Sequence, residues 1–552
     1  MSIWHPRGLL SGSRARRAMV VLGSLLAVGA VVTAVVLVAV HSTAGPPARC
    51  SVAGLSPGLE NSHVRVTSAT RVTTGTYTPR GSELPITGLP KFCAVTLTET
   101  DAAGNPMHLQ IWLPAAWNGS FEGVGGRGYA CTMGDALPSS KRKMVVETLK
   151  SAIESGYASS TTDCGLTPAQ TATGSFALKP DGGLNWPLIN DFTKVGIHDA
   201  AVEGKAVTAA FYGSKPRYSF FFGCSTGGRE GLMEAQQYPA DYNGIVSGAP
   251  AINMAKFIPA EIWPQLVMNH AHDFLPSCKE VAFIKAVVKA CGRGAGVIKI
   301  PSTCHWNPAL LVGSVTPCGK ITKTDAAVVA KIWQGPTVLR HKLWFGLEPG
   351  ASFAGLARTT TAANGVTTGN PFPTTTQWLG TWLQRKPSWD WRTLSYAEFD
   401  QLFAKSVREF SGDIATDNPD LASFRNDGGK ILIWHGLADP LIFPQGTISY
   451  YQRVLHSGGG AASADSFARL FLAPGAGHCA SAAGAAPSDP LTAVVNWVEH
   501  GKAPQSIPGT VVDPQGVVRA SHPLCMYPLV SRYKGGSTAS AASYACVKAR
   551  SR

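Results

Sequence analysis

From about residue 50 the chain alternates short apolar runs with amphipathic stretches, the pattern of strands exchanging with helices. Residues 94–97 and 109–113 predict strands, as does Phe121 leading into Gly123-Val-Gly-Gly-Arg-Gly128. Residues 199–212 have helical spacing and stop at Gly213. Residues 218–222 are bulky and apolar without alternation, which suits a strand buried on both faces of a parallel sheet. A helix over about 226–237, ended before Pro239, and a strand over 244–247 follow.

After Ala251 the pattern changes. Residues 253–418 hold eight of the chain's 14 tryptophans, four clustered cysteines and a Thr-rich segment, and strand-helix alternation is hard to trace there. It resumes with the apolar run 431–434, which leads into His-Gly-Leu-Ala-Asp439. A strand over about 468–472 then runs into the loop carrying His478, and 491–498 reads as a helix. The simplest architecture is one α/β sheet interrupted by an insertion. This predicts a leader over 1–44, a first core part over 45–252, the insertion over 253–418 and a second core part over 419–552.

Arg7, Arg14, Arg16 and Arg17 precede an uncharged stretch over 18–40, and small residues follow at Ser42 and Ala44. That order describes an export signal. The stretch is also long enough to span a bilayer, so an uncleaved anchor is the alternative. Both place the rest of the chain in a secreted or extracytoplasmic setting. The composition, 45% hydrophobic and 15% charged, is that of a packed protein and excludes collagen-like or disordered classes. The net charge of +14 comes with no nucleic-acid-binding motif and no basic run longer than Lys141-Arg142-Lys143, so a diffusely basic surface is expected and no nucleic-acid partner.

Export makes the 12 cysteines legible as disulfides: all follow the leader, and no Cys-x-x-Cys pair suggests zinc or a redox dithiol. Proximity in sequence suggests Cys50–Cys93, Cys131–Cys164 and Cys525–Cys546, with Cys278, Cys291, Cys304 and Cys318 as a separate cluster. Cys224 and Cys479 remain, one directly before Ser225 and the other directly after His478.

Gly223-Cys-Ser225-Thr-Gly227 fits G-x-S-x-G between a predicted strand and a predicted helix. That turn pushes a serine oxygen out above a sheet, and glycines let it do so without collision. In α/β-hydrolases the order is serine, acid, histidine, with the last two on loops after later strands. Asp439 and His478 stand in that order and place. His478 is the expected base for Ser225, and Asp439 the group that holds its tautomer. Singly, each has a plain alternative: a turn serine, a loop cap before Pro440, an exposed loop histidine. An oxyanion needs two backbone donors. Thr226 supplies one by position, and the early glycine-rich loop supplies the other, with Gly128 first choice and Gly126 second.

These motifs resemble the tannase and feruloyl esterase family. The resemblance rests on Gly-Cys-Ser-x-Gly-Gly-Arg-Glu-Gly at 223–231, Tyr-Pro-Ala-Asp-Tyr-Asn-Gly-Ile-Val-Ser-Gly-Ala-Pro at 238–250 and Gly-Gly-Lys-Ile-Leu-Ile-Trp-His-Gly-Leu-Ala-Asp at 428–439. Pro-Gly-Ala-Gly-His-Cys at 474–479 and the stretch 523–535 complete it. It implies an α/β-hydrolase fold with a large inserted lid, and a secreted serine esterase acting on esters of aromatic acids, hydroxycinnamic or gallic. Ser225, Asp439 and His478 would be the triad, Gly128 and Thr226 the oxyanion donors, and Cys224–Cys479 the active-site disulfide. Substrates would be small aromatic esters or esters on plant polymers. No cofactor is implied beyond a lid calcium, whose loop begins after a cysteine as Cys-Asp-x-x-Asp-Gly. Here the matching stretch, Cys291-Gly-Arg-Gly-Ala-Gly-Val-Ile-Lys-Ile300, has no carboxylate. Calcium needs several oxygen ligands, so the metal site is expected to be lost. Cys291–Cys304 with Cys278–Cys318 competes with Cys278–Cys291 and Cys304–Cys318.

His270-Ala-His272-Asp273 resembles a metal-binding string without distal ligands and is expected to be a solvated helix end. Trp378, Trp382, Trp389 and Trp391 are expected to form the insertion's own core. Two rival readings stay open: a peptidase or lipid esterase on the same fold, and a non-catalytic, surface-anchored binding protein.

Overall fold

The computed structural model describes residues 49–549 except 60, 62, 81, 83, 133–143 and 146; the leader predicted over 1–44 lies outside the described residues. Its centre is a nine-stranded sheet. In chain order the strands are β1 (Val64–Val72), β2 (Phe92–Thr100), β3 (Pro106–Pro114), β4 (Ser120–Val124) and β5 (Ala158–Thr162), then β6 (Tyr218–Cys224), β7 (Gly244–Gly248), β8 (Lys430–Gly436) and β9 (Ala468–Ala473). They lie in the order β1-β2-β3-β5-β4-β6-β7-β8-β9. The pairs from β1 to β5 are antiparallel, and those from β5 through β4 to β9 are parallel.

The parallel strands are buried along almost their whole length because helices cover both faces. Helix α1 (Gly196–Tyr212) precedes β6, and α2 (Thr226–Gln237) follows it. Every residue of α2 from Thr226 to Ala235 is buried, charged ones included, so its contacts are with the protein interior alone.

Residues 253–418 enter between β7 and β8 and give no strand to the central sheet. They fold as helices, among them Met254–Ala260, Ser277–Cys291 and Tyr396–Ile414, with small two-stranded hairpins. Trp378 and Trp382 are fully buried and stacked 4.6 Å apart, with Phe410 against both. Tyr129, from the loop after β4, stacks on Trp382 at 5.7 Å. The tryptophans therefore build the insertion's core and its seam with the sheet. The His270 string closes the helix Trp263–Ala271, with His270 Nε2 2.9 Å from the Leu394 carbonyl.

Six disulfides join all the cysteines: Cys50–Cys93, Cys131–Cys164, Cys224–Cys479, Cys278–Cys318, Cys291–Cys304 and Cys525–Cys546. The competing pairing in the insertion fails for a local reason. Cys278 and Cys291 sit at opposite ends of the helix Ser277–Cys291, about 20 Å apart at the helical rise, far beyond disulfide reach. This density of disulfides fits an oxidising, extracellular compartment. Among the described residues no helix is long and apolar enough to cross a membrane.

Candidate active site

β6 passes into α2 through Ser225, whose φ of 67° and ψ of −122° place a non-glycine residue in strained backbone. Such a conformation costs about 1–3 kcal/mol and persists only when its surroundings impose it. Here they do: Ser225 N–H donates to the Gly248 carbonyl at 2.9 Å, and its own carbonyl accepts from Ala251 and Arg229, each at 3.1 Å. A side chain at Gly223 would collide with the backbone of Gly227, and one at Gly228 with the Gly248 carbonyl. The glycine spacing of the motif is thus a steric demand of the turn.

The next two motif residues brace this turn. Arg229, fully buried, donates to the carbonyls of Thr193 at 2.7 Å and Phe192 at 3.2 Å. Glu230 Oε2 accepts the Gly126 N–H at 2.8 Å. Gly227 N–H donates to the Gly126 carbonyl at 3.1 Å, and Thr226 Oγ1 to the Gly128 carbonyl at 2.7 Å. Three bonds therefore lash the glycine-rich loop to the first turn of α2. The Gly126 amide is spent in this bracing. Among the described residues the amides of Gly128 and Thr226 are given to no other group.

Asp439 and His478 arrive on the loops after β8 and β9. His478 Nδ1 lies 2.8 Å from Asp439 Oδ2. Asp439 is fully buried, and Leu441 N–H and Ile442 N–H donate to its Oδ1 at 2.8 and 3.0 Å. Burial works against its charge, but His478 and the hydrogen bond from His435 outweigh it and hold the carboxyl well below the usual range. The carboxylate accepts, so Nδ1 of His478 carries the proton and Nε2 is left as the base. His435 Nε2 reaches both Asp439 Oδ2, at 3.1 Å, and the Ile442 carbonyl, at 3.2 Å. Two acceptors on one nitrogen mean that Nε2 is protonated, and Nδ1 meets Thr447 Oγ1 at 2.8 Å. Cys224 and Cys479, bonded with Cα atoms 6.1 Å apart, clamp the end of β6 to the His478 loop.

Ser225, Thr226, Gly128 and His478 all open onto one cavity of about 530 Å³. Its walls are largely apolar: Tyr129, Met254, Phe257, Ile258, Phe372 and Leu441. The insertion supplies four of these, and Trp378 and Trp382 do not reach the cavity. Glu261 also lines it, 2% exposed, with Oε2 enclosed and without a hydrogen-bond partner among the described residues. Burial, with nearby Asp439 adding, pushes its carboxyl well up, which favours the neutral acid.

Three of these residues escaped the sequence reading. His435 stands four positions before Asp439 inside a quoted motif, and Glu230 lies inside another; Glu261 signalled itself only as a lone acid in an apolar stretch. Among the described residues one group of metal-type ligands is close enough to share an ion: His198, Glu234 and Asp241. Asp241 there is already bonded to His198 at 2.6 Å and Lys205 at 3.1 Å. The loop closed by Cys291–Cys304 offers no carboxylate, so its donor set does not fit calcium.

The family profile described as tannase and feruloyl esterase matches residues 93–547. The chain is 41% identical over 471 residues to a probable feruloyl esterase of Arthroderma benhamiae, covering 83% of this chain and 86% of that one. It is 28% identical over 488 residues to feruloyl esterase B of Aspergillus niger, covering 82% and 86%. The crystal structure of feruloyl esterase B from Aspergillus oryzae has a TM-score of 0.76 at 25% identity, covering 91% of this chain and 100% of that one. A tannin acyl hydrolase from Aspergillus niger shares the fold with a TM-score of 0.79 at 22% identity, covering 91% and 96%. With the matched profile spanning most of its length, the chain belongs to the tannase and feruloyl esterase family and is a carboxylic ester hydrolase of α/β-hydrolase fold.

Proposed function

We propose that this protein is a secreted serine esterase that cleaves esters of aromatic acids, hydroxycinnamic or gallic, through an acyl-enzyme. The observation that carries this reading is the meeting of Ser225, at a strained elbow, with an Asp439-anchored His478 on one apolar cavity. His478 Nε2 takes the Ser225 proton as Oγ attacks the ester carbon. The oxyanion forms against the amides of Gly128 and Thr226, at the N-terminus of α2. Collapse breaks the bond to the alkoxy oxygen, which receives the proton from His478, and the alcohol leaves. Water, deprotonated by His478, attacks the acyl carbon, and the acid departs as Ser225 regains its proton.

Phe257, Phe372 and Tyr129 on the cavity walls support an aromatic acyl group. The volume, about 530 Å³, is that of a small-molecule site. We propose that residues 253–418 serve as the lid over that group, between core parts 45–252 and 419–552, with no metal or organic cofactor in the reaction. Export rests on the leader sequence and the disulfides. The relatives are feruloyl esterases by name, and the aromatic wall supports extending that activity to this chain.

The test combines labelling with a substrate panel. A fluorophosphonate should label the folded protein, and Ser225→Ala should abolish labelling and turnover. Methyl ferulate or methyl gallate should be hydrolysed, but not anilides or long-chain glycerides. Cleavage of the latter two would support a peptidase or lipid esterase instead. No labelling of the folded protein would support a binding protein.

A further inference from the structure

His478 faces a second cavity as well. About 520 Å³ in volume, it shares His478 and Met144 with the first, but Ser225, Thr226 and Gly128 do not line it. Besides the His478 loop and the segment 349–352, its walls come from three places. The helix Ser277–Cys291 brings Ile284 and Val288, the loop closed by Cys291–Cys304 brings Val297 and Ile298, and the loop after β8 brings Leu437 and Pro440. Val297 is seated against Gly475, at the base of the His478 loop, where a side chain would strike it.

The chemistry of the two chambers differs. Among the described residues, His478 is the one charged or aromatic side chain that lines the second one. Its two serine hydroxyls each already accept a backbone N–H, Ser352 Oγ from Ala354 and Ser481 Oγ from Val512, both at 3.2 Å. A sugar brought here would find few side-chain partners for its several hydroxyls, and each one buried without a partner is costly. An alkyl chain would lose only water.

The direction of the reaction assigns the sides. The carbonyl oxygen belongs at the amides of Gly128 and Thr226, which line the first cavity only. The alkoxy oxygen receives its proton from His478, so the alcohol part sits beside the imidazole, which together with Met144 lines both chambers. We propose that the second cavity is the alcohol subsite, and that it takes an apolar alkyl alcohol and disfavours a sugar. This rests on the serine-esterase reading above.

The experiment is a kcat/KM series at fixed acyl group: methyl, butyl and hexyl ferulate, and a feruloylated arabinose. In the native protein the butyl ester should exceed the methyl ester at least tenfold, and the arabinose ester should fall below the methyl one. Ile284→Trp, which fills the chamber, should remove the butyl and hexyl advantage while leaving the methyl ester within about threefold. Val288→Asn, a smaller change on the same wall, should reduce that advantage and provides the check if Ile284→Trp misfolds. Equal use of all the alcohols, preference for the arabinose ester, or equal loss on methyl and hexyl esters in both variants would overturn the subsite. Failure to turn over any ester in the series would instead overturn the esterase reading itself.

Discussion

Glu230 Oε2 accepts the backbone N–H of Gly126 at 2.8 Å, so the helix behind Ser225 and the glycine-rich loop before Gly128 move as one piece. The bond removes Gly126 from the pool of free amides, so the proposed oxyanion donor in this loop is Gly128.

That bond makes a pH-dependent prediction. Burial raises the Glu230 carboxyl from 4.5 to about 7, against the pull of Arg229 and of the Gly126 N–H. The folded state therefore holds this proton more tightly than the unfolded chain does. Its contribution to stability is complete below the unfolded value and is lost as pH rises through about 7. Glu230→Gln keeps an acceptor for Gly126 but cannot ionise. Relative to the native protein it should gain up to about 3 kcal/mol between roughly pH 5 and pH 8 in denaturant unfolding. Parallel stability curves for the two proteins would contradict this. Glu230→Ala, which orphans the amide, should cost about 1–3 kcal/mol at pH 5, and less at pH 8 because it too cannot ionise.

His435 is a positioning residue, one bond behind the triad. Replacing it by Asn removes a donor from Asp439 at 3.1 Å but leaves His478 and two backbone amides in place. The expected result is a fall in kcat of about tenfold, equivalent to about 1.4 kcal/mol in the barrier, with KM little changed. A merely structural role would lower the melting temperature and leave kcat intact.

Cys224–Cys479 closes a sequence separation of 255 residues. In the chain-entropy account a loop of that size contributes roughly 5 kcal/mol. The bond also fixes the end of β6 against the His478 loop, so Cys224→Ala with Cys479→Ala should reduce kcat even where circular dichroism reports a fully folded population. Native turnover under those conditions would make the disulfide a staple and nothing more.

Glu261 is a buried carboxyl on an apolar wall, pushed up by that burial, with an enclosed oxygen that nothing among the described residues satisfies. Glu261→Leu should therefore stabilise the protein at neutral pH, by about 1–3 kcal/mol, as read by chemical denaturation. A loss of stability would mean that the carboxyl has a partner in solution.

How far each residue could be read depended on how local its constraint is. Ser225 was legible because the glycines its turn demands stand within a few positions of it in the sequence, although Gly228 makes room for Gly248 on the next strand. Asp439 and His478 were legible because parallel strands deliver loops to one edge of a sheet, and chain order then limits which loops can meet. Cys278 and Cys291 were ambiguous only until their helix was known to be continuous, since twelve helical residues stand between what looked like neighbours. Glu261 was close to invisible: its meaning depends on Phe257, Phe372 and the Asp439 loop converging from distant segments.

The sequence alone determined the α/β alternation, the elbow serine, the order of the triad candidates and the cysteines beside them. These follow from hydrophobic period, glycine spacing and short-range sterics, which act along the chain. Only the tertiary structure decided that Gly126 is spent on Glu230, that Asp439 answers to two histidines, and that His478 stands between two chambers of different chemistry. Those facts come from packing between separate segments, with Glu230 104 residues from Gly126 and His478 39 from Asp439, and no local pattern encodes which side chain will be left facing a cavity once the insertion has packed against the sheet.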